Sequence, residues 1–241
     1  MLIDANTCYG LCPRDSRDRS LAVLLGLLER HRVDQALTFS LRGVEYDFLS
    51  GNEETLRTCQ AHPDLLPVAT IHPGRHVHCR DEILRAADNG FVALRFFPEV
   101  QGWPLVFQPF LDLCELAAEV GMPLILPAGP SGQQTLIGER LGPLAVNVLL
   151  IGSGYSVNAE TASVLARWPS FYTESHLYDT PGTLEYVGQA AGFDRLVFGS
   201  HVPDRNFAAA YQQGACADFT PGQRADFFAG NVLRFLGRED E

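Results

Sequence analysis

The sequence predicts an α/β fold, a (β/α)8 TIM barrel built as one domain over residues 1–241, on three observations. Eight short apolar runs lie along the chain, longer amphipathic stretches separate them, and no linker-like segment divides them. Short strands alternating with helical stretches are the pattern of βα units around a parallel sheet. A length of 241 residues with 46% hydrophobic content suits one such barrel with a continuous core. The 15 prolines and 22 glycines are scattered, and no internal repeat is present.

Taken in order, the first strand is expected at 2–6, where apolar sequence begins at once. The helix after it is expected at 20–31, because Leu21, Leu24, Leu25 and Leu28 share one face. Strands follow at 35–40, 66–71 and 92–96. A second clear helix covers 110–120 and turns Leu111, Cys114, Leu116 and Ala117 to one side; Gly121 takes its C-cap and Pro123 opens the strand at 123–126. Strands at 147–151, 171–174 and 195–199 complete the eight. A last helix at 221–236 is opened by Thr220-Pro221 and carries Phe227, Phe228, Val232, Leu233 and Phe235.

Composition narrows the function classes. Eighteen basic against 29 acidic residues give a formal charge of -11, which repels phosphate backbones and anionic lipid. Nucleic acid and membrane surfaces are therefore not expected as partners, whereas a small-molecule ligand is. No apolar run reaches the roughly 18 to 20 residues that span a bilayer. Strand-like sequence from Leu2 without a basic or apolar leader predicts no secretory signal. The six cysteines (Cys8, Cys12, Cys59, Cys79, Cys114, Cys216) form no CxxC pair, which fits free thiols and a cytoplasmic location.

In such a barrel the chemistry sits at the C-terminal ends of the strands. Asn6, Cys8, Ser40, His72, Arg95, Pro127, Gly152, Glu174, His176 and His201 fall at or just beyond those ends. Glu174, His176 and His201 are candidate acid and base groups, since histidine titrates near neutrality and a carboxylate can partner it. Cys8 is either a thiol that a neighbouring histidine activates as a nucleophile or a small apolar filler. Arg95 either clamps a substrate carboxylate with its planar fork or forms an internal salt bridge, for which Glu174 is the candidate. Within the histidine-rich stretch 71–79, His72 is expected inside the mouth and His76 and His78 beyond it. Phe96-Phe97-Pro98 and Trp103-Pro104 are expected as an apolar wall over the pocket or as a partner surface, and Asp204 and Arg205 as solvated loop charges.

Several phrases carry a family likeness: Ile3-Asp4 in the first strand, Gly51-Asn52, Gly90 to Arg95, Pro123 to Gly129, and above all Arg195-Leu196-Val197-Phe198-Gly199-Ser200-His201-Val202-Pro203. In this order the chain resembles the amidohydrolase-related (amidohydrolase 2) family of the metal-dependent hydrolase superfamily. The resemblance implies the barrel and a zinc- or manganese-dependent hydrolase or decarboxylase acting on carboxylated or cyclic substrates. It also implies ligand positions, and there the chain departs: Asn6 and Cys8 stand for the paired strand-1 histidines, Pro127 and Gly152 for later histidines, and His201 for the aspartate of Gly-Ser-Asp. A divalent metal needs about three to five donors and activates water only while firmly held; Pro127 and Gly152 offer none.

The expectation is thus an amidohydrolase-related barrel with a degenerate metal site and no metal or cofactor, a pseudoenzyme with a non-catalytic or regulatory role, as a homodimer or in complex with an active relative. The alternative is a hydrolase or lyase on a small carboxylated or cyclic substrate. It would use His201, Glu174, His176 and Cys8 for catalysis and Arg95, His72 and Asn6 for binding, without metal or with a zinc relocated to Cys8, His201 and Glu174 or His176.

Overall fold

In the computed structural model, which describes residues 1–238, eight strands form one parallel sheet in sequential order. They are β1 (Ile3–Asp4), β2 (Gln35–Thr38), β3 (Leu65–Ile71), β4 (Ala93–Phe96), β5 (Leu124–Pro127), β6 (Val148–Ile151), β7 (Phe171–Glu174) and β8 (Leu196–Val197). Each lies inside its expected run or within one residue of it. The expected domain runs to 241, of which 239–241 lie outside the described residues. A helix follows each strand: α1 (Leu21–His31), α2 (Phe48–Ala61), α3 (Cys79–Asp88), α4 (Gln108–Glu119), α5 (Gln133–Leu141), α6 (Asn158–Arg167), α7 (Thr183–Ala191) and α8 (Phe207–Cys216).

The sheet curls until its two ends meet. Ala5 N–H donates to Phe198 C=O at 3.1 Å, and a parallel bridge joins Thr7 to Val202. At the same seam the Asp4 carboxylate accepts Ser200 N–H at 3.0 Å and the Ser200 hydroxyl as well. β8 is shorter than expected because Phe198 N–H leaves the ladder for the carbonyl of Phe227 in the C-terminal helix. That helix pays for the loan with a π-turn at Asp226–Gly230: Asn231 N–H reaches back to Asp226 C=O, which leaves the Phe227 carbonyl free. The expected continuous helix is therefore three pieces, Pro221–Ala225, the π-turn and Asn231–Leu236.

Strand alternation divides the apolar residues into two layers. Ile3, Leu37, Val68, Ala93, Ile125, Leu149, Tyr172 and Val197 fill the barrel interior, and Val232 and Phe235 of the C-terminal helix pack with them. Ala36, Ala69, Leu94, Leu124, Leu150, Phe171 and Leu196 face the helices. Asn147, just before β6, donates to Phe235 C=O at 2.9 Å, so the C-terminal helix closes the barrel at the N-terminal ends of the strands. The opposite end is the mouth.

Phe198 ties these parts together: fully buried, its ring meets Phe207, Tyr211, Phe227 and Phe228 at centroid distances of 5.6, 6.4, 6.0 and 5.3 Å. Phe198→Ala is expected to lower unfolding free energy by about 3–5 kcal/mol, through lost transfer and an unfilled cavity. The shift of the urea midpoint at constant m-value measures it; a cost under about 1 kcal/mol would mean that the seam does not depend on this ring.

Candidate active site at the barrel mouth

The same alternation that fills the interior delivers the charged groups. Arg95 follows inward-facing Ala93 by two residues and Glu174 follows inward-facing Tyr172 by two, so both point into the barrel at its mouth layer. Glu174 folds over Gly199: a Cβ there would stand 2.4 Å from Glu174 Cγ, so the site needs glycine at the end of β8. Asn6 reaches the mouth because Asp4 Oδ1 accepts its backbone N–H at 3.1 Å, bending the chain after β1.

The groups form one connected chain. Arg95 Nη1 donates to Asn6 Oδ1 at 2.9 Å. The Asn6 amide Nδ2 lies 3.4 Å from Glu174 Oε2 and 3.4 Å from His176 Nδ1. Glu174 holds His176 twice, by Oε1 accepting its backbone N–H at 2.7 Å and by Oε2 at 2.6 Å from Nδ1. His176 then stacks on His201, ring centroids 4.7 Å apart and planes within 18°. His201 Nε2 is 3.9 Å from Asp204 Oδ2, and Cys8 Sγ donates to the same oxygen at 4.0 Å.

Burial and charge set the ionisation. Burial would raise the Glu174 carboxyl, but the charge and hydrogen bonds of His176, with His201 beyond, outweigh it and hold it below the usual carboxylate range. His201 is pushed down to about 4 by burial first, then by the charges of His176 and Arg95, so it is a neutral base at pH 7. Burial lowers Arg95 to about 10, which leaves it a cation. Cys8 is pushed up to about 12 by burial and by Asp204, so it carries no thiolate at neutral pH. The nucleophile reading of Cys8 thereby loses its premise; the thiol packs as a small buried group.

The structure brings Asn6, Arg95, Glu174, His176, His201 and Cys8 together, and leaves His72 apart. The His72 ring lies over Gly74, and among the described residues its Nδ1 is buried without a partner and no hydrogen bond or ion pair joins it to the cluster. Of the two alternatives for Arg95, the internal salt bridge to Glu174 does not form directly; the two charges are relayed through the Asn6 amide. Trp103 is buried against Phe96 and Phe110 rather than standing as a surface; only Phe97 of that wall reaches the mouth, over Arg95.

Asp204 was expected as a solvated loop charge and is instead a hub. Arg19, 6% exposed, bonds it through Nε at 2.7 Å and also grips Asp15, while Arg17 stands 3.6 Å away, so the loop after β1 is tied to the end of β8. The residues are 185 positions apart, and no local pattern marks such a pair.

The family's metal does not fit these residues. The Asn6 amide is engaged on both sides, and Gly152, which brings no side-chain donor, is left-handed (φ +80°) with the His176 ring beside it. Among the described residues no group of three or more His, Cys, Asp or Glu side chains is placed to hold a metal. The relocated zinc on Cys8, His201 and Glu174 or His176 is therefore not assembled.

A model of the amidohydrolase family matches residues 49–238, and the chain belongs to that family. It is similar in structure to 2,6-dihydroxybenzoate decarboxylase from Rhizobium (TM-score 0.78, 13% identity, 98% of both chains covered). It is similarly close to 5-carboxyvanillate decarboxylase from Sphingomonas paucimobilis (0.78, 13%, 98% of both). An uncharacterized TIM-barrel protein from Bordetella bronchiseptica gives 0.78 at 17% identity over 100% of this chain and 99% of that one. At these identities the likeness establishes the barrel. No curated protein matches the chain.

The depressed His201 predicts a pH dependence. In the unfolded chain it takes a proton near 6.5 and in the folded one only near 4, so the unfolded state binds more protons between these values and stability falls as pH falls through that window. Residue 201 is left-handed (φ 58°), a conformation Asn tolerates, so His201→Asn is expected to fold and to lose less stability than the wild type between pH 7 and 5. Urea titrations at the two pH values measure the difference; equal losses would refute the assignment to His201.

Proposed function

We propose that this protein is an acid–base enzyme of the lyase type that decarboxylates a small carboxylated substrate, aromatic by analogy with its structural neighbours, without the family's metal. One observation carries the reading: a fully buried Glu174 locks His176 at 2.6 Å beside a buried arginine at the mouth of the barrel. A carboxylate fixed on Nδ1 sets the imidazole's tautomer and orientation. It also leaves Nε2 as the atom that exchanges a proton with substrate.

In this scheme Arg95 anchors the substrate carboxylate. His176 Nε2 delivers a proton to the carbon that bears it, the carbon–carbon bond breaks, its electron pair takes up that proton, and carbon dioxide leaves. Glu174 holds the His176 ring in place for the transfer, and neutral His201, stacked on His176, accepts a hydrogen bond from a substrate hydroxyl, which keeps its proton. His72 and Cys8 have no part in it. Pro127 and Gly152, which offer no donors where the family has ligands, favour a second reading in which the barrel binds such a ligand without turning it over.

Carbon dioxide release from 2,6-dihydroxybenzoate and 5-carboxyvanillate, with chelator present, is the assay. Turnover is expected in the wild type, with kcat lower by about 10²–10³ in Glu174→Gln and His176→Gln. Saturable binding without turnover would replace the proposal by the non-catalytic reading. Unaltered kcat in both variants would sink the proton-transfer scheme.

A further inference from the structure

Arg95 sits among the positions to which the family likeness assigns metal ligands. It bonds Asn6 directly at 2.9 Å, and its charge acts on Cys8 and on His201, whose ring it helps keep neutral. These are three of the five replaced positions. Arg95 is 8% exposed, yet among the described residues its guanidinium has no ion-pair partner within contact, and the hydrogen bond it makes is to the neutral Asn6 amide. The nearest opposite charge, Glu174, is held off by the Asn6 amide, and a buried cation with no anion in contact is costly to keep, which marks a place for a ligand of opposite sign.

The surroundings also fix how that ligand would bind. Phe39 and Phe97 lie together on one side of the guanidinium, their ring centroids 4.6 and 5.1 Å from its central carbon and 5.2 Å from each other. With Nη1 turned to Asn6, the free edge of the fork keeps in-plane N–H groups that match the two oxygens of a carboxylate. A guanidinium donates only in its own plane, so it selects a planar anion presented edge-on.

We infer that the Arg95 guanidinium is a built-in cation standing where the family places its metal, and that with Asn6 it forms a metal-independent site for a small monocarboxylate held edge-on. This rests on the reading of the mouth as a carboxylate site, and adds that the positive charge is the protein's own.

Benzoate is the probe, titrated calorimetrically into the full chain at pH 7 with chelator and again with added manganese or zinc. Affinity is expected to agree within about twofold across these conditions, and to weaken about 30-fold or more in Arg95→Gln, with Arg95→Lys in between because it keeps the charge and loses the fork. Binding that appears only with added metal would overturn the inference while leaving the carboxylate reading intact. Wild-type affinity in Arg95→Lys and Arg95→Gln would overturn it too. No binding in any condition would remove the carboxylate reading beneath it. Should Arg95→Gln not fold, Arg95→Lys and the metal comparison decide the matter.

Discussion

The amide of Asn6 sets the terms for the whole mouth, because it accepts a hydrogen bond from a buried cation and turns its donor side to a buried anion. Its oxygen takes Arg95 Nη1 at 2.9 Å, and its nitrogen faces Glu174 and His176 at 3.4 Å each. Those partners also fix which end of the amide is which. An aspartate here would satisfy Arg95 and repel Glu174; a lysine would do the reverse. A neutral group with one donor end and one acceptor end lets two opposite charges share a dry pocket without collapsing onto each other. That separation keeps the arginine's edge available and leaves Glu174 to His176.

Further out, the mouth is held by charge pairs that the interior cannot supply. Asp204 takes Arg19 from the loop after β1, and Arg14 of the same loop pairs with Glu45 beyond β2. Most surface pairs contribute little, but Arg19 is 6% exposed and bonds two carboxylates at once, so loosening it would leave a buried charge unpaired. The network fixes the carboxylate that stands nearest His201 Nε2 and Cys8 Sγ. The geometry of the neutral base thus depends on residues that never face the barrel axis.

How much of this the sequence discloses follows from the range of the forces involved. Strand positions are legible to within a residue because burial on both faces leaves short apolar runs, and barrel chemistry at strand ends then nominates Asn6, Arg95, Glu174, His176 and His201. The Glu174–His176 pair is legible as well, since two residues separate it. The rest is decided by contacts between distant parts of the chain. Arg95 meets Asn6 across 89 positions and Arg19 meets Asp204 across 185, and nothing in either local pattern distinguishes these from solvated charges. The π-turn is hidden for the same reason, because it answers to a single N–H of Phe198.

One relation connects the family likeness to the altered site. The two most telling phrases, Ile3-Asp4 near the start and Phe198-Gly199-Ser200 near the end, touch: Asp4 accepts both the backbone N–H and the hydroxyl of Ser200, and Gly199 gives Glu174 its room. They are the fastening of the barrel seam. A buried carboxylate left without those donors would be costly, and so would a side chain at 199 driven into Glu174. These residues are therefore constrained by the fold whatever the mouth does. The side chains of Asn6 and Cys8, two and four positions past Asp4, and of His201, one past Ser200, carry no such duty to the seam. They are where the reaction can change while the barrel stays the same, and the sequence marks that boundary within four residues on either strand.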